Sequence, residues 1–136
     1  MTSKTDLNEL LANLQPQLNT GEFVFCLARL HDIPPGVEPL MRFHEHEGLT
    51  VILRRGQAEE LGLHYTLVCA WITLSVHSAL ESIGLTAAVT TALAAANIPC
   101  NVVAATYHDH LFVPLNEGEN ALAILLDLSK NSLSQK

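Results

Sequence analysis

Residues 71–114 read WITLSVHSALESIGLTAAVTTALAAANIPCNVVAATYHDHLFVP. The order they imply is strand, turn, Ala-rich helix, strand, tight turn, strand. The first strand extends back to Tyr65 and forward to His77. Its even positions, Val68, Ala70, Ile72, Leu74 and Val76, all point one way because strand side chains alternate. That face is wholly apolar and must be covered, and helices are the expected cover. The other face runs from Tyr65, Leu67, Cys69 and Trp71 to Thr73, Ser75 and His77, so it turns polar toward its end. Leu85, Val89, Leu93 and Ala96 then make one stripe of a helix. Asn97 tolerates the left-handed conformation that closes a helix, and Pro99 cannot continue one. Asn101–Tyr107 and Leu111–Val113 read as strands joined by a tight turn.

Working outward, Leu7, Leu10, Leu11 and Leu14 predict a helix over Asp6–Leu14, with Asp6 and Glu9 as a capping box. Phe23–Arg29 and Leu49–Leu53 are β-branched or aromatic enough to be strands. Residues 30–48 read as irregular, broken by Pro34, Pro35, Gly36 and Pro39. Gln57–Leu61 is a short helix capped by Gly62. Asn116 and Glu119 suggest another capping box before a last helix with Ala121, Leu122, Leu125 and Leu128 inside. The order helix–strand–strand–helix thus occurs twice. The long strand Tyr65–His77 is expected to close the first copy and open the second. The fold class is α+β: two fused ferredoxin-like, βαββαβ-type units with antiparallel sheets and helices on one face. Their expected bounds are 1–66 and 67–129, with 130–136 a flexible tail.

The bulk properties narrow the function. Of 136 residues, 49% are hydrophobic, which suits a packed core and not disorder. Net charge is -7, and no Lys or Arg lies between His64 and Ser129. A nucleic-acid surface needs clustered cations, so nucleic acid is excluded as a partner. The N-terminal MTSKTDLNELL lacks the cationic and apolar regions of a secretory signal. No apolar run approaches the ~20 residues of a membrane helix, so a cytoplasmic location is expected. Cys26, Cys69 and Cys100 have no CxxC spacing and read as buried free thiols. Nucleophile elbow, phosphate loop and dinucleotide fingerprint are all missing from the sequence, so no enzyme and no cofactor are expected.

The stretch SVHSALESIGLTAAVTTALAAANIPCNVVAATYHDHLFVP, with the upstream EGLTVILRR, resembles the ACT-domain family. More closely it resembles the tandem ACT-like bacterial proteins of unknown function. The resemblance implies a small-molecule-binding regulatory or sensor module, most simply for an amino acid, that assembles as a homodimer or higher oligomer. It places the ligand at the strand–helix loop of the C-terminal unit near a subunit interface. The residues so implicated are His77, Ser78, Glu81, Gly84, Leu85, Thr86, Asn101 and Asp109. The family pattern also asks for a strand after Leu128, where this chain has only a polar tail. That edge must come from the other half or from another subunit.

The loop chemistry fits the implied role. A helix start near Gly84 offers unpaired backbone N–H groups to a ligand carboxylate. Ser78, Thr86 and His77 add polar contacts, and Glu81 or Asp109 would meet an ammonium group. With no cation nearby, a polyphosphate is disfavoured and a zwitterion preferred. Each residue also has a plainer reading: His77 and Ser78 as a turn satisfying local backbone, Gly84 as backbone freedom, Asp109 as a hairpin tip accepting backbone N–H bonds. Two further functions stay open. One is metal binding by His44-Glu45-His46 and His108-Asp109-His110, two strings that echo each other ahead of a strand. The other is a ligand-free assembly module.

Overall fold

A computed structural model describes residues 4–75 and 84–134. In chain order they form α1 (Lys4–Ala12), β1 (Gln17–Ala28), β2 (Met41–His44), β3 (Leu49–Arg54), α2 (Arg55–Glu60) and β4 (Tyr65–Leu74). There follow α3 (Leu85–Ala95), β5 (Asn101–Ala104), β6 (Asp109–Pro114) and α4 (Gly118–Ser134). The chain divides into two units, Gly21–Cys69 and Met1–Thr20 with Ala70–Lys136. It passes between them within β1 and again within β4. The expectation that the long strand Tyr65–His77 serves both copies is met by β4 as far as the described residues reach.

In the smaller unit the strands lie in the order β2-β3-β1-β4. Numbered along this unit's chain, that is 4-1-3-2 read from the β4 edge, the ferredoxin-like arrangement. β1 and β3 pair antiparallel, with Val24 opposite Leu53 and Cys26 opposite Val51. These four side chains, with Ala28, Leu49 and Ala58 of α2, form the unit's buried core. Between β1 and β2, where the ferredoxin-like pattern has a helix, the chain forms a single 3-10 turn, Leu30–Asp32. The prolines that follow cannot donate the backbone bonds a longer helix needs. The Asp32 carboxylate instead accepts the Arg29 N–H at 2.9 Å.

One expectation for this unit needs correcting. Residues 41–44 are not irregular but form β2, antiparallel to β3 with Met41 opposite Ile52 and His44 opposite Leu49. Arg42, Phe43 and His44 are exposed on this edge strand, so no burial alternation marks it in the sequence. Gly62 does cap α2 as expected. At φ 69° it lets its own N–H reach Glu59 O and the Leu63 N–H reach Ala58 O, the two bonds of a Schellman motif. Asn97, at φ 61°, does the same for α3: its N–H donates to Ala94 O and that of Ile98 to Leu93 O.

In the larger unit the order is β1-β4-β6-β5. Taking β4 as first strand and β1 as last, this too is 4-1-3-2. The strand expected after Leu128 is therefore supplied by residues 17–20, from the N-terminal end of the same chain. Sequence reading passed over them because QLNT is polar and only partly buried. Ala70, Ile72 and Leu74 of β4 and Leu111 and Val113 of β6 point to the helices, as alternation requires. They meet Leu11 and Leu14, Leu85, Val89 and Leu93, and Ala121 and Leu125. The N-terminal segment is tied down by polar bonds as well: Ser75 N–H to Leu14 O at 2.8 Å and Ser129 Oγ to Ala12 O at 2.9 Å. A Cβ at Gly118 would stand 2.8 Å from Ala70 Cβ, so only glycine lets α4 start this close to β4.

The two capping boxes are not formed as expected. α1 already includes Lys4, which puts Asp6 inside the helix, and Asn116 lies in a 3-10 turn, Leu115–Glu117, ahead of α4. α4 also continues through residues 130–134, and Ser132 is buried with its hydroxyl bonded to Leu128 O.

Because Leu14 is fully buried where the N-terminal segment enters the larger core, Leu14→Ala is expected to cost about 2–5 kcal/mol of stability. A urea titration followed by the near-ultraviolet signal of the sole tryptophan, Trp71, measures it.

Candidate ligand site

Of the eight residues implicated by sequence, His77, Ser78 and Glu81 lie outside the described residues. The others fall at two ends of the larger unit. Gly84 precedes α3 at φ 93°, a conformation that suits glycine, and as the N-cap residue it has no side chain with which to cap the helix. The N–H groups of the first turn consequently lack intrahelical acceptors, and they carry the positive end of the helix dipole. Leu85 turns its side chain into the core, so only its backbone can meet a ligand. Thr86 is exposed, and its carbonyl accepts the Thr90 hydroxyl at 2.8 Å. α1 links this helix start to the end of β4, since Leu7 packs against Gly84 while Leu14 O holds Ser75 N–H.

Asp109 belongs to the same end. It opens β6, directly after His108, whose Nδ1 lies 3.3 Å from Ser75 O at the end of β4. It is not the polar hairpin tip that sequence suggested. The turn is residues 105–108, and Asp109 is only 3% exposed, on the face it shares with Leu111 and Val113. Its Oδ1 has no hydrogen-bond partner among the described residues. A buried carboxylate oxygen in that position is costly unless a cation or donor meets it.

Asn101 is elsewhere. It pairs with Phe112 while Asp109 pairs with Ala104, so the two stand three residues apart along the ladder, about 10 Å. Asn101 follows the C-terminal end of α3, a helix of 11 residues and so roughly 16 Å long. The structure does not bring it to the helix start.

The two His-acid-His strings prove out of register. His44 ends the first strand of its hairpin and His46 lies in the turn, whereas His108 ends its turn and His110 is already in the second strand. His44 and His46 are exposed, and Glu45 between them accepts the Thr50 hydroxyl. The His108 and His110 rings meet edge to face at 6.4 Å. Among the described residues no three His, Cys, Asp or Glu side chains converge as a metal-binding group.

Sequence reading missed the polar cluster on the side of the larger unit's sheet away from its helices. Trp71 Nε1 donates to His110 Nδ1 at 3.0 Å, and Phe112 stacks on the indole at 6.3 Å. Asn19 of β1 donates to Thr73 Oγ1 at 2.9 Å and to Trp71 O at 3.2 Å. Asn19 sits in the polar first part of β1, which no sequence pattern marks as a strand. Burial raises the thiol pKa of Cys26 and Cys69 and pushes that of Cys100 up to about 11, which disfavours the thiolate. In the smaller unit a cleft of about 650 Å³ is lined by Glu22, Arg54, Arg55, Gly56, Gln57, Glu59 and Glu60. Arg55 is engaged there by Tyr65 Oη and Glu22 Oε1, each at 3.0 Å.

The two strand orders define a class, the tandem ferredoxin-like module. The family itself follows from comparison. An ACT-domain model matches residues 2–70 and a second ACT-domain model matches residues 66–127, so the chain belongs to the ACT-domain family. ACT domains are regulatory modules that generally bind amino acids. A Vibrio cholerae protein of unknown function, described as a possible transport protein, is 40% identical, with a TM-score of 0.83 over 92% of this chain and 97% of that one. Clostridium acetobutylicum aspartate kinase, an allosteric enzyme, gives 0.68 at 11% identity, over 88% of this chain and 36% of that one. The ligand-free regulatory subunit of Thermus thermophilus aspartate kinase gives 0.64 at 12%, over 85% and 97%. These last two likenesses are of fold alone. No curated protein matches the chain.

The unpartnered oxygen of Asp109 makes a stability prediction. An unpaired amide is cheaper to bury than an unpaired carboxylate, so Asp109→Asn is expected to stabilise the ligand-free protein by about 1 kcal/mol. Urea denaturation at pH 7 measures the difference.

Proposed function

We propose that this protein is a regulatory module that senses a free α-amino acid at the junction of α3, β4 and β6 in its larger unit. The observation that carries the reading is Asp109, a buried acid whose Oδ1 has no partner among the described residues, at the same end of the unit as the start of α3. The two groups have the opposite polarities of a zwitterion's ends. Backbone N–H groups of Gly84–Thr86 take the carboxylate, and Asp109 takes the ammonium. On the sequence reading, His77, Ser78 and Glu81 are further proposed ligand contacts. Binding acts by favouring one of two arrangements of units or subunits. On this reading the protein is not an enzyme and works in the cytoplasm. Among the described residues no helix is long and apolar enough to cross a membrane.

Assembly into a homodimer or higher oligomer is part of the proposal. In the smaller unit Phe43, Thr50 and Leu27 stand opposite one another across β2, β3 and β1. They lie on the face away from the Val24–Val51 core, and Phe43 and Leu27 are each 61% exposed. Apolar side chains set side by side at that exposure suit a subunit contact.

Two outcomes are expected. In a thermal-shift panel of the common amino acids, a ligand at 100 times its Kd adds roughly 2.7 kcal/mol. That moves the midpoint by about 5–15 °C. The matching α-keto acid, which lacks the ammonium, leaves it unmoved, and Asp109→Asn removes the shift. A panel flat at millimolar concentrations rejects the amino-acid reading. Separately, Phe43→Asp is expected to lower the oligomeric state seen by sedimentation velocity without unfolding the chain. An unchanged sedimentation coefficient places the contact elsewhere.

A further inference from the structure

The cluster on the helix-free side of the larger unit's sheet has a geometry that depends on one proton. His110 Nδ1 accepts the Trp71 indole N–H at 3.0 Å, so the neutral ring carries its hydrogen on Nε2. Thr73 Oγ1 lies 3.3 Å from the same Nδ1 and already accepts the Asn19 amide at 2.9 Å. The ring is half-buried and packs at 5.7 Å from the indole. Its ionisable neighbours among the described residues are His108, edge-on at 6.4 Å, and Asp109, which points to the opposite face of the sheet. Asn19 of β1, Trp71 and Thr73 of β4, and Val103, its partner on β5, bring it no charge.

We propose that Trp71 and His110 form a proton-operated latch on this sheet face, closed while His110 is neutral and opened when it is protonated. Protonation turns Nδ1 from acceptor to donor, so two N–H groups then face one another and the Trp71–His110 bond cannot persist. The hydroxyl oxygen of Thr73 is the acceptor within reach. It has a second lone pair, so it can take the imidazolium N–H beside the Asn19 amide. The indole loses this acceptor, and a neutral aromatic surface becomes a cationic one. The latch thereby makes the helix-free side of β4 and β6 responsive to pH. It does not depend on a bound ligand. Its working range lies on the acid side of neutrality. Burial lowers the His110 pKa below the usual value, the nearby His108 adds to the lowering, and Asp109 opposes it.

Linkage gives the sign of the effect on stability. A histidine whose folded pKa is lowered contributes stability that is present above its unfolded value of about 6.5. That contribution is lost as pH falls through the folded value.

Trp71 is the only tryptophan in the chain, so it reports on the latch directly. In the full-length protein, its fluorescence and its single indole ¹⁵N–¹H resonance are followed from pH 8 to pH 4.5. The expected result is one transition, centred below pH 6.5, in which an imidazolium quenches the indole and the indole proton moves upfield as its hydrogen bond breaks. His110→Gln, which stays neutral and keeps an acceptor, is expected to abolish the transition. His108→Gln is expected to keep it and raise its midpoint. An indole resonance that does not titrate in the unmodified protein overturns the proposal without recourse to any variant. A transition that survives unchanged in His110→Gln also overturns it.

Discussion

Everything in the larger unit depends on pairing the open edge of β4. A strand with an unsatisfied row of backbone N–H and C=O groups must find a partner, in its own chain or another. Here residues 17–20 supply it. That choice fixes what comes before them: the chain must run back as α1 across the helix layer, where Leu11 and Leu14 join the core and Ala12 O takes the Ser129 hydroxyl. It also fixes a contact at the other end of the chain, where Gly118 must be glycine for α4 to approach Ala70 and Leu18. The first residues of the sequence thus complete a module whose other strands begin fifty residues later.

The same topology explains where the chemistry collects. With no Lys or Arg between His64 and Ser129, the larger unit has to settle its polar groups without cationic side chains from that stretch. Asp109 is left with a buried oxygen that none of the described groups reaches, and the proposed ligand is the partner it lacks. His110, one residue on, points to the opposite face and bonds an indole instead. One strand alternation therefore separates the acid proposed to meet the ligand from the base proposed to respond to protons. The smaller unit handles charge differently: Arg55 lies over the Tyr65 ring and bonds both Tyr65 and Glu22, which holds it firmly in its charged form.

The candidate site was legible in sequence where backbone conformation decides it and not where neighbours do. Gly84 and Asn97 could be assigned to the ends of α3 because few residues tolerate a positive φ. Asn101 was grouped with the site although helix length alone puts it at the far end of α3. Asp109 looked like a turn residue because acids beside histidines usually sit in solvent, and its burial depends on helices distant in sequence. Asn19 could not have been found, since a polar strand edge looks like a loop until its partner strand is known.

The amino-acid sequence by itself determined most of the element types, the helix–strand–strand–helix order that follows Gly84, the apolar face of β4 and the two left-handed helix caps. Those follow from local steric preference and from the two-residue and 3.6-residue periods, which act within a few residues. Before Gly62 the structure has three strands between α1 and α2, and α1 belongs to the larger unit. Only the tertiary structure decided that residues 17–20 close the larger sheet, that residues 41–44 are a strand, and that Asp109 is buried while His110 meets Trp71. The closing strand, the burial of Asp109 and the His110–Trp71 bond depend on partners distant in sequence, while residues 41–44 pair with the neighbouring β3 but are exposed, and backbone hydrogen bonding leaves no mark on the side-chain pattern of an exposed edge.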